Sequence, residues 1–92
     1  MIACEGGACR LDGAVTVATV GALLRELQPQ LEKGVDTLDF SSVEAVDSAA
    51  LALVFSAMRQ AASAQRRLTV TGLPESFTTL AELYGVADLL PA

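Results

Sequence analysis

The stretch Asp39-Phe40-Ser41-Ser42-Val43-Glu44-Ala45-Val46-Asp47-Ser48-Ala49-Ala50-Leu51-Ala52-Leu53 decides how the chain is read. Its first residues end a short strand, Asp36 to Phe40, in which Leu38 and Phe40 alternate with polar neighbours. Ser41 to Asp47 reads as a loop. From about Ala49 to Ala64 the residues then turn small and apolar at helical spacing. Ser48 stands where an N-cap is wanted, because its hydroxyl can accept a hydrogen bond from an amide two or three residues on. Asp39 and Asp47 flank the loop and read as loop and cap residues, a carboxylate being favoured at the positive end of a helix.

The phase of that helix locates a candidate surface. At about 100° per residue, Leu51, Val54, Phe55, Met58 and Ala62 share an arc, which is taken as the core face. The opposite arc then carries Ala49, Leu53, Ser56, Ala57 and Gln60. A surface helix normally places Lys and Glu there, yet between Ser48 and Gln65 the only charged residue is Arg59. Small and apolar residues around an outward Leu53 let another protein approach closely with little charge to desolvate. Ser48, Ala49, Leu53, Ser56, Ala57 and Gln60 are therefore the expected partner-binding residues.

Outward from this segment the pattern stays regular. Met1 to Val15 reads as two strands around Gly6-Gly7, and Thr16 as the cap of a helix carrying Val20, Leu23, Leu24, Leu27 and Leu31. Pro29 should kink or shorten that helix, and Gly34 should close it. Beyond the long helix, Arg67 to Thr71 is a strand. Gly72-Leu73-Pro74 turns the chain into a last helix with Phe77, Leu80, Ala81 and Tyr84 on one side, stopped by Gly85. The order β-β-α-β-α-β-α predicts one small α/β domain: a mixed, mostly parallel sheet with helices packed on it.

Composition excludes several function classes. The 92 residues are 52% apolar and 18% charged, which argues against disorder, and no apolar run reaches the length of a membrane span. A net charge of −5 with six scattered basic residues leaves no stripe for phosphates, so neither nucleic acid nor an anionic membrane surface is an expected partner. The first residues have neither the basic segment nor the apolar run of a secretory signal, and the expected compartment is the cytosol. There is no histidine, no phosphate-binding loop and no nucleophile motif, so no metal, cofactor or small-molecule substrate is expected. A small hydrolase using Asp39 and Asp47 as paired acid and base remains the catalytic alternative. If Gly6-Gly7 is a two-residue turn, Cys4 lies opposite Cys9 and a cross-strand disulfide is conceivable. A reducing cytosol favours two free thiols instead.

The residues Asp39-x-Ser41-x-Val43-x-x-Val46-Asp47-Ser48-x-x-Leu51 are similar to the signature of STAS domains, the family of sulfate-transporter tails and anti-sigma-factor antagonists. The end of the chain, Val70-Thr71-Gly72-Leu73, then Thr79 to Val86 and Leu89-Leu90-Pro91, resembles the stand-alone STAS subunits of bacterial phospholipid-transport ABC complexes, which maintain outer-membrane lipid asymmetry. The resemblance implies a STAS-like fold and a non-catalytic accessory subunit, held at the inner membrane through the complex. Its implied partner is the transporter's ATPase subunit. The alternative it carries is an anti-sigma-factor antagonist switched by phosphorylation of Ser48. Family members usually have Gly where this chain has Ala50, which implies an ordinary first helical turn and a bulkier contact surface.

Overall fold

A computed structural model describes residues 1–91. The chain forms β1 (Ile2–Glu5), β2 (Ala8–Val15), α1 (Val20–Glu32), β3 (Thr37–Val46), α2 (Ser48–Ser63), β4 (Thr69–Thr71) and α3 (Glu75–Leu83), followed by a 3-10 turn at Ala87–Leu89. The strands lie in the order β1-β2-β3-β4, with β1 antiparallel to β2 and the other pairs parallel. This is the predicted α/β architecture. Because both parallel crossovers advance the same way across the sheet, right-handed connections place their helices on one face. Cys9, Leu11, Leu38, Phe40 and Val70 point into that covered face and are buried. Arg10, Thr69 and Thr71 of the opposite face are exposed, and Asp39 is half-buried. Phe77 of α3 meets Phe40 edge to face at 5.7 Å between ring centroids.

The hairpin β1-β2 turns at Gly6 and Gly7, whose φ angles of 60° and 84° are both in the region a two-residue I′ turn needs. The register places Cys4 opposite Cys9, and their sulfurs are bonded. The expectation of two free thiols is thereby corrected: the turn leaves the two side chains as direct cross-strand neighbours. At α1 the helix begins at Val20 with Thr19 rather than Thr16 at its N-cap, and it continues through Pro29 to Glu32.

The loop expected from Ser41 to Asp47 is instead strand. Arg10 pairs with Asp39 but Asp12 with Ser42, and Gly13 pairs with Val43 but Ala14 with Ala45. At each step β3 carries one residue more than β2, so it contains two bulges. These break the alternation: Leu38, Phe40 and Val43 are buried, while Ser41 and Ser42 between them are exposed. Period-2 reading therefore stops at Phe40 although the strand does not.

The first bulge is clamped from both sides. The Ser41 amide donates to Asp39 Oδ1 at 2.9 Å. Gly72 lies against the same residue, and a Cβ on it would stand 2.8 Å from Ser41 N. Gly72 also has a φ of +66°, which L side chains rarely adopt. Gly72→Ala is expected to destabilise the chain by about 2–3 kcal/mol, combining the left-handed backbone with a clash against main chain. Urea denaturation measures it, and a loss under about 0.5 kcal/mol would show that the bulge yields freely.

Candidate docking surface

Asp47 positions the start of α2. Its Oδ1 accepts from the Ala49 amide at 2.8 Å, making Asp47 the N-cap, and Ser48 is the first helical residue. The cap assigned to Ser48 is corrected accordingly: the Asp47 carboxylate takes the Ala49 amide, so the helix begins one residue earlier. Asp47 also reaches across the fold, its Oδ2 accepting from the Val17 amide at 3.0 Å. The turn holding Val17 is itself fixed, since Thr19 Oγ1 donates to the Ala14 carbonyl and accepts from the Thr16 amide, both at 2.9 Å. One carboxylate thus ties the β2–α1 turn to the α2 N-terminus, leaving Val17 78% exposed beside Ser48. The Ser48 hydroxyl is exposed and makes no hydrogen bond to another described residue.

The phase of α2 differs from the periodicity reading by about a quarter turn. Ala50, Leu51, Leu53, Val54, Ala57 and Ala61 are the buried residues. Of the six expected partner-binding residues, Leu53 (0% exposed) and Ala57 (1%) are core, which corrects their outward placement. Ala49, Ser56 and Gln60 are half-buried, and Gln60 Nε2 donates to the Gln28 carbonyl of α1. Only Ser48 is exposed. The cause is that α2 is flanked by α1 on one side and α3 on the other, so the arc assigned to solvent packs against α1. Phe55 and Met58, assigned to the core, are half-buried at its edge. Ala50 is wholly buried, so it adds nothing to a contact surface.

The outward face of α2 is made of Ser48, Ala52, Arg59, Ala62 and Ser63, with part of Phe55. Ala52 and Phe55 were missed by sequence reading. Their signal was present, since they follow Ser48 at intervals of four and seven residues and share its face. With Ser48 they form an exposed run of small and apolar groups along α2 with no charge until Arg59, and the half-buried Asp47 carboxylate joins its start to the turn that carries the exposed Val17 and Ala18. A shallow groove between the end of β3 and α3 is lined by Val46, Glu75, Ser76, Thr79 and Leu80.

The structure does not bring Asp39 and Asp47 together. They are eight positions apart on one extended element, on the order of 20 Å or more by strand rise. Acid–base pairs across a scissile bond stand within about 10 Å. Asp39 belongs to the open sheet face, where the Ser41 amide above all, then the Ser41 and Thr71 hydroxyls and the Arg10 guanidinium, hold its carboxyl below the ordinary value. Beside it Arg10 Nε pairs with Asp12 Oδ1 at 3.0 Å. A carboxyl whose folded-state pKa is depressed contributes stability that is complete above its unfolded value of about 4 and is lost as pH falls through the lower folded value. The melting-temperature gap between the wild type and Asp39→Asn is therefore expected at pH 6 and should narrow as pH falls below the ordinary carboxylate value of about 4. A gap independent of pH would mean that ionisation of Asp39 contributes nothing to stability.

Comparison with known proteins places these features in a family. A family model described as the Mlab-type STAS domain matches residues 3–91. The proteins named intermembrane phospholipid transport system binding protein MlaB from Escherichia coli K12 and from Shigella flexneri are each 35% identical over 69 residues, 74% of this chain and 71% of theirs. The solved structure of the anti-sigma factor antagonist SpoIIAA in its unphosphorylated form matches 96% of this chain and 82% of its own with a TM-score of 0.74. At 16% identity that likeness is one of fold.

Proposed function

Since this chain belongs to the STAS-domain family of the MlaB type, we propose that it is a non-catalytic accessory subunit of a phospholipid transporter. In this reading it docks on the cytosolic ATPase of an ABC complex that maintains outer-membrane lipid asymmetry. The docking surface is the outward face of α2 from Ser48 through Ala52 and Phe55, continued by Val17 and Ala18. The observation that carries the reading is the exposed face of α2, without charge from Ser48 to Met58 and anchored at its start by Asp47, in a chain whose net charge is −5. A preformed apolar face loses little entropy on association and suits a protein partner better than a phosphate or a lipid headgroup. Among the described residues no helix is long and apolar enough to cross a membrane, consistent with attachment through a partner.

A second reading is an anti-sigma-factor antagonist regulated at Ser48. It draws on the fold likeness to SpoIIAA and on an unengaged hydroxyl at a helix N-terminus, where a phosphate would be electrostatically favoured. Ser48 variants separate the two. Ser48 is not the cap, so Ser48→Ala is expected to change stability by no more than about 0.5 kcal/mol. Ser48→Asp is favoured by the helix dipole yet adds a charge to the patch, and it should weaken binding to the ATPase subunit by more than tenfold. Calorimetry against the purified ATPase reads this directly. Undiminished affinity in a folded Ser48→Asp chain would move the interface elsewhere. Phosphate transfer to Ser48 by a kinase-type anti-sigma factor, with no ATPase binding, would replace the first reading by the second.

A further inference from the structure

We propose that Cys4 and Cys9 are a reversible thiol–disulfide site that latches the edge strand β1 to the sheet. The two residues are direct cross-strand partners and their sulfurs are bonded. β1 has a neighbouring strand on one side only. It is held by four residue pairs with β2, by α1 and the core against which Ile2 and Cys4 pack, and by this bond. An element with so few attachments opens locally without the rest of the molecule, and a covalent tie across it governs how often it does so. α2 is positioned by α1, by α3 and by the Asp47 cap, and α1 packs on β2 as well as on β1, so the latch acts on the sheet edge more than on the docking patch.

The two residues differ in access. Cys9 has no exposed surface, whereas Cys4 is half-buried. A reductant thiolate therefore attacks Sγ of Cys4. The Cys4–Cys9 bond breaks, Cys9 leaves with the electron pair and takes a proton, and Cys4 carries the mixed disulfide. When the reductant is a dithiol, its second thiolate attacks its own sulfur in that mixed disulfide. Cys4 leaves as a thiolate and is protonated, while the reductant ends as a disulfide. The reverse reaction uses a small-molecule disulfide of the glutathione type, which oxidises the two cysteines and departs as two thiols. Two electrons move in each direction. Closing a loop this short lowers the open fraction by roughly ten- to a hundredfold, which is the change expected for β1.

The intact chain is equilibrated in glutathione buffers from fully reduced to fully oxidised, quenched with an alkylating reagent and weighed. The expected result is a single two-electron transition from the doubly alkylated to the bridged form. In Cys9→Ala, glutathione should be captured on Cys4. Amide exchange across Ile2–Glu5 should rise at least tenfold in the reduced chain, with Leu51–Ala61 changing less than twofold. A chain that stays dithiol in fully oxidised glutathione overturns the proposal. So does equal β1 exchange in the two forms, or a Cys4→Ala/Cys9→Ala chain that exchanges like the bridged one.

Discussion

Leu53→Arg is expected to leave no cooperatively folded protein. Leu53 has no exposed surface and sits among Ala50, Val54 and Ala57 in the core of α2. An arginine there cannot escape by deprotonating, because its pKa lies above about 12. It would remain charged in an apolar interior without a partner, at a penalty of several kcal/mol added to the lost packing of the leucine. A chain of this size has about 5–15 kcal/mol of total stability, so that sum unfolds it or nearly does. Leu53→Ala, which leaves a cavity but no charge, should destabilise by about 2–5 kcal/mol and still fold. Circular dichroism melts of both variants test the pair. A cooperative Leu53→Arg melt close to wild type would restore the outward Leu53 that the periodicity of 51, 54, 55, 58 and 62 predicts.

Ala52→Arg, one residue earlier, should do the opposite: leave folding intact and abolish docking. Ala52 is exposed on the outward face between Ser48 and Phe55. Arginine is nearly as good a helix former as alanine, so stability should change by about 0.5 kcal/mol at most. At the centre of the proposed interface the same side chain would be buried unpaired and would block close approach. That is expected to lower affinity for the ATPase subunit more than a hundredfold. Ala22→Arg, on the exposed side of α1, is the control and should bind normally. Unchanged affinity for Ala52→Arg would exclude the outward face of α2 as the interface. Taken together, adjacent residues 52 and 53 separate folding from docking, and their two outcomes fix the rotation of α2.

The periodicity of the α2 sequence was too weak to determine that rotation. From Ser48 to Ser63 the helix carries one charged residue, Arg59, so no polar stripe marks the solvent side. An amphipathic pattern assigns a phase only when polar and apolar residues contrast. In α1, where Arg25, Glu26 and Glu32 alternate with Leu23, Leu27 and Leu31, the buried leucines are among those the spacing predicts. Here α1 and α3 decide: they flank α2, and the small residues Ala50, Ala57 and Ala61 turn toward the closest packing.

Element order, the mixed sheet and the resemblance carried by Asp39, Ser41, Val43, Val46, Asp47 and Ser48 were determined by the sequence alone, because alternation, helical spacing and glycine turns are local properties. The register of Cys4 with Cys9 was equally legible, since a two-residue turn leaves one possible pairing; the state of the sulfurs was not. The bulges of β3, the reach of Asp47 to Val17 and the outward face of α2 were decided only by tertiary structure. Each depends on a second segment, β2 with Gly72, the β2–α1 turn, and the flanking helices, brought against the first from a distance along the chain. A local pattern records what a segment prefers, and only packing records which neighbour takes up its exposed groups.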